Sequence, residues 1–151
     1  MPTAHPVSRN VSLIAALAAL VALVDCQRIV EPDVPGVPVV GSWRYSGRQT
    51  VPTDADLTGT LSVTGQTGAQ ISGALDFVET DTRGLQRRVA GLLLGRTIDS
   101  TTLDFDVSLT TVTRRHVARV AGDSIVGTWI EQPAGGSAPT ASGTFRGARV
   151  R

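Results

Sequence analysis

Lysine is absent from this 151-residue chain, and all fourteen basic residues are arginine. Against them stand 13 carboxylates, so the formal charge is +1, far from the basic footprint that nucleic-acid binding requires. Aromatic residues make up only 4% of the chain, which excludes a broad stacking surface for bases or sugars. Cys26 is the single cysteine, so no intrachain disulfide can form, and stability must come from packing and sheet hydrogen bonds. His116 is the only histidine beyond the N-terminal stretch, with no thiol or second imidazole near it, which excludes a structural zinc site. No serine lies in a G-x-S-x-G elbow. The acidic pairs Asp54/Asp56, Glu79/Asp81 and Asp104/Asp106 are not extended into a series of oxygen ligands for calcium. The Gly135-Gly136-Ser137 loop lacks the lysine and following helix of a phosphate cradle. The residues therefore point to a protein that is not an enzyme and carries no metal or cofactor.

What the chain does have begins at its N-terminus. Val11–Val24 is an uncharged apolar run preceded by Arg9, short of the ~20 residues needed to span a bilayer as a helix. It has no polar face, so it reads as the hydrophobic part of an export signal over residues 1–25. Leu23-Val24-Asp25-Cys26 follows, with an apolar residue three before the cysteine. This resembles the lipobox of bacterial lipoproteins, which implies cleavage before Cys26 and acylation of its thiol. It departs from that family at Asp25, where a small residue is usual. Ordinary signal cleavage and an uncleaved anchor are the alternatives. By the same resemblance the protein is held at the cell envelope by its N-terminal lipid, and Gln27 after the cysteine favours the outer membrane.

Residues 26–40 contain Pro32, Pro35 and Pro38, which rules out a helix or central strand. The segment reads as an extended tether, or alternatively as a loop packed along the domain. From residue 41 onward the alternation has a period of two and no useful amphipathic helix occurs. Leu57, Gly59, Leu61 and Val63 share one face, and Ile71, Gly73, Leu75 and Phe77 share that of the next strand. Further strands are expected at Gly41–Ser46, Arg87–Leu94, Thr102–Leu109, Arg114–Ala121, Ser124–Glu131 and Ala141–Arg149. Eight strands at hairpin spacing predict an all-β, antiparallel up-and-down barrel over residues 41–151. A two-residue Gly122-Asp123 loop predicts a type II′ turn pairing Val120 with Ile125, Ala118 with Gly127 and His116 with Trp129, all inward. Inward glycines at 59, 73 and 127 indicate either tight coiling or room for a ligand, with coiling favoured.

Gly41-Ser42-Trp43 on the first strand, with Arg146 or Arg149 near the last strand to cover the tryptophan, resembles the lipocalin and avidin-like (calycin) group of eight-stranded barrels. That resemblance implies a barrel able to hold a small apolar molecule, but names no ligand. Trp43, Tyr45, His116 and Trp129 are the candidate ligand-binding residues. The competing expectation is a filled barrel that acts as a structural or docking partner of another envelope protein.

Overall fold

The computed structural model describes residues 36–136 and 138–151, and the proposed signal with Cys26 lies outside the described residues. Eight antiparallel strands follow one another: β1 (Gly41–Val51), β2 (Ala55–Thr67), β3 (Gln70–Asp81), β4 (Gln86–Thr97), β5 (Thr102–Ser108), β6 (Val112–Ala121), β7 (Ser124–Pro133) and β8 (Ala141–Arg149). Each pairs with the next, and β8 returns to β1 to close the barrel. The order is the up-and-down meander expected from the hairpin spacing.

Several strands run longer than their apolar alternation. β1 extends to Val51 rather than Ser46, and β2 begins at Ala55 and continues to Thr67. The added residues are largely polar and face outward or lie at the ends. Hydrogen-bond pairing, which ignores side-chain polarity, carries the ladder past the hydrophobic pattern. A register shift between Val63 and Gly65 lets β2 continue to Thr67, so the β2–β3 reversal is shorter than the Thr64–Gly68 stretch suggested.

The β6–β7 hairpin has the predicted register, with His116 opposite Trp129, Ala118 opposite Gly127 and Val120 opposite Ile125. Gly122 has φ +57° and Asp123 does not have positive φ, as a type II′ turn requires. Arg115, Val117 and Arg119 face solvent on the opposite side of β6.

Gly59, Gly73 and Gly127 face backbone rather than empty space. A Cβ on Gly73 would lie 1.9 Å from the carbonyl oxygen of Ser62, and one on Gly59 would lie 2.0 Å from that of Asp76. Both contacts are made between β2 and β3, where the sheet coils so tightly that neighbouring backbone fills the side-chain position. Close strand approach therefore accounts for these glycines, and room for a ligand does not. Gly73→Ala is expected to destabilise the barrel by about 2 kcal/mol or more through overpacking. Urea unfolding checks this, and a change within ~0.5 kcal/mol would contradict so close an approach.

Candidate functional site

The two ends of the barrel are built differently. At one end Gly36–Val40 packs onto the domain, and the rest of the proline-rich segment, residues 26–35, lies outside the described residues. Val39 is fully buried, its N–H reaches Gln66 Oε1 at 3.2 Å, and Gln66 Nε2 donates to Val37 O at 3.0 Å. Trp43 is buried beside it and donates from Nε1 to Val39 O at 2.9 Å. The guanidinium of Arg149 covers the Trp43 ring at 4.1 Å while donating to the carbonyls of Val40 and Pro38. Arg149, not the exposed Arg146, is thus the covering arginine. With its one polar atom satisfied, Trp43 is a plug of the closed end, set apart from the other three candidate residues.

Tyr45 and His116 lie in an interior filled by rings. His116 stacks on Phe105 with centroids 4.6 Å apart, and Tyr45 stacks on Phe145 at 5.4 Å. Phe145 also meets His116 edge-on, and Tyr45 meets Phe77. The His116 Nδ1 lies 3.1 Å from the carbonyl oxygen of Arg114, which can only accept, so Nδ1 carries the proton. Nε2 then accepts from the Tyr45 hydroxyl at 3.5 Å, the outer limit of such a bond. Burial drives both groups towards neutrality. It pushes the tyrosine hydroxyl well above its usual range and lowers His116 to about 3, with the Arg114 charge acting further in the same direction on His116.

Towards the other end sits a charged group that is not among the four candidate residues. Arg114 is 1% exposed. Its guanidinium lies 4.3 Å from the Trp129 ring and 4.9 Å from that of Phe77. Nε donates to Glu131 at 2.6 Å and Nη2 to Glu79 at 3.3 Å, while Arg87 reaches Glu79 from outside at 3.0 Å. Two buried donors are left over. Neither Nη1 of Arg114 nor Nε1 of Trp129 has an acceptor among the described residues. Leaving a buried donor unpaired costs about 1–3 kcal/mol, more when it is charged, so two on one stacked pair call for a partner.

The signal for this cluster was present in the alternation. Arg114, His116, Ala118 and Val120 share the inward parity of β6; Glu131 shares that of Trp129, and Glu79 that of Phe77. Three charges of mixed sign at inward positions of three strands form an ion cluster once the barrel closes. Only closure brings β3 to within reach of β6 across the interior, because the two strands are not paired neighbours.

Beside the cluster the wall is interrupted. β5 ends at Ser108 and pairs with Leu92–Thr97 of β4 only, so Gln86–Gly91 has no ladder partner on that side. The gap forms a groove of about 380 Å³ between Arg87–Ala90 and the β5–β6 connection at Leu109–Val112, and Glu131 forms part of its wall. The groove lined by Gln70, Leu94 and Arg96 borders an ion pair already satisfied, Asp104 with Arg115 at 2.7 Å.

His116 makes the fold sensitive to acid. The unfolded chain binds a proton at an imidazole pKa of ~6.5, whereas the folded state resists until about pH 3. Stability from this group is therefore complete above pH ~6.5 and declines as pH falls, at up to about 1.4 kcal/mol per unit. Urea titrations between about pH 6.5 and 5.5, above the carboxylate range, should show that slope in the wild type and a flatter profile in His116→Gln. Equal slopes in the two proteins would contradict the burial of a neutral imidazole.

No family model and no curated protein matches this chain. Solved structures do. One described as EF1p2_mFAP2b bound to DFHBI has a TM-score of 0.59 at 12% identity, covering 74% of this chain and 93% of the other. A de novo designed fluorescence-activating β-barrel has a TM-score of 0.54 at 16% identity, covering 74% and 94%. The redesigned barrel mFAP1 bound to DFHBI has a TM-score of 0.54 at 12% identity, covering 73% and 94%. At such identities the similarity is one of fold. The chain shares the closed eight-stranded antiparallel barrel of these small proteins.

Proposed function

We propose that this chain is a small-molecule-binding barrel, held at the cell envelope by a lipid on Cys26, with its ligand at the end where Arg114 sits. The observation that carries the binding site is the pair of buried, unpaired donors, Arg114 Nη1 and Trp129 Nε1. The adjoining groove of about 380 Å³ falls within the range of roughly 300–1,000 Å³ typical of small-molecule sites. That two barrels of the same architecture are bound to DFHBI supports the reading by analogy. Of the four candidate residues, Trp129 contacts the ligand, and Tyr45 and His116 pack beneath it. Trp43 holds the closed end.

A second reading is supported by the ring packing of Tyr45, Phe77, Phe105, His116 and Phe145, which occupies the middle of the barrel. On it the protein is a filled barrel that docks another envelope component, and the groove is incidental. Native mass spectrometry of the protein purified from its own host separates the two: a retained, denaturation-releasable small molecule is expected, and a bare polypeptide mass favours docking. For the anchor, wild-type protein should partition to membranes and Cys26→Ala should shift towards the soluble fraction. Equal partitioning would remove the lipid from the proposal.

A further inference from the structure

We infer that the acceptor that Arg114 Nη1 and Trp129 Nε1 lack among the described residues is a neutral oxygen, the carbonyl or hydroxyl of a ligand with an apolar part, entering by the groove between β4 and the β5–β6 connection. This rests on the binding function proposed above and specifies the ligand's chemistry.

The requirement for an acceptor follows from the groups themselves. A guanidinium nitrogen and an indole N–H can only donate, so another donor or a purely hydrocarbon ligand leaves both unsatisfied. The neutrality follows from the charges. Arg114 is matched by Glu131 at 2.6 Å and Glu79 at 3.3 Å, and Glu79 is matched again by Arg87 at 3.0 Å. Two cations thus face two carboxylates, and Arg88, which also lines the groove, is matched by Asp76 at 2.6 Å. A carboxylate or phosphate on the ligand would place a third negative charge beside Glu131 and Glu79, where burial weakens solvent screening. A carbonyl or hydroxyl oxygen brings the lone pairs without the charge. The ligand's apolar part follows from the rings of Phe77 and Trp129 that flank the guanidinium, while the groove outside is mixed, with Val89 and Leu109 beside Arg87, Arg88, Thr110 and Thr111. A site that offers buried donors discriminates strongly against analogues lacking the acceptor, because those donors are then stranded.

The two indoles provide the test. Trp43 Nε1 already donates to Val39 O, whereas Trp129 Nε1 has no acceptor among the described residues, so a ligand oxygen moves one indole resonance and leaves the other as an internal reference. The ¹⁵N-labelled full chain is titrated with methyl hexanoate, hexanoate and heptane, probes of similar length that differ in acceptor and charge. The two indole resonances are assigned with Trp43→Phe. Methyl hexanoate should shift the Trp129 indole proton downfield and leave Trp43 in place. It should bind about tenfold more tightly than either heptane or hexanoate, the difference expected of one well-made hydrogen bond. In Arg114→Met the ester should lose most of its advantage over heptane. Trp129→Phe, read by calorimetry, should lose part of it and serves if the Met variant fails to fold. Tightest binding by hexanoate overturns the neutral-acceptor inference. Equal binding of ester and heptane also overturns it, but leaves the binding function standing. If no probe moves the Trp129 indole, the donors are met by water alone, and both the inference and the binding site fall.

Discussion

The ladder between β1 and β8 is the constraint on which the rest of the structure depends. Trp43 opposite Arg149 through to Val51 opposite Ser142 turns a strip with two open edges into a closed wall. Once closed, an eight-stranded barrel encloses a volume that side chains can just fill. Every inward residue then competes for the same space. Where β2 and β3 press together, only glycine fits at 59 and 73. Where there is space, the few aromatic residues of the chain are used almost entirely inside. The low aromatic content that excludes an outer stacking surface is therefore enough to pack one interior.

Closure also gives the ends opposite characters. One is sealed by Val39 and Trp43 under the Arg149 guanidinium, with the Trp43 indole and the arginine both bonded to backbone carbonyls. The other holds a buried arginine between two rings, paired to carboxylates that stay in partial contact with solvent. Burying an ion pair seldom adds stability compared with apolar packing of the same volume. A cluster that also leaves two donors unpaired among the described residues is harder still to justify by stability. In the short β5, a ladder that stops at Ser108 opens the wall next to the cluster.

Much of the fold was legible in the chain. The hairpin spacing led to eight meandering strands, and the glycine-led Gly122-Asp123 turn led to the full β6–β7 register. Two-residue turns and strict alternation are local properties, so a linear reading reaches them. The site was less legible. Trp43, Tyr45, His116 and Trp129 were grouped because they are inward and aromatic or titratable, yet Trp43 belongs to the far end. Arg114 was overlooked because arginine at an inward position is uncommon, although its parity with His116 placed it there. Its partners Glu79 and Glu131 lie 35 and 17 residues away, and only the barrel's curvature sets them on one guanidinium.

By itself, the sequence determined the strand count, the inward faces of β2, β3, β6 and β7 and the Gly122-Asp123 turn, because each of these follows from neighbours within a few residues. It also carries the export-like N-terminal run and the lone Cys26, features readable without any fold. Only the tertiary structure decided that Gly59 and Gly73 serve close strand approach, that Arg149 rather than Arg146 covers Trp43, and that Arg114 and Trp129 end with donors that have no acceptor among the described residues. Those outcomes depend on the volume and curvature of the closed wall, which no single strand contains.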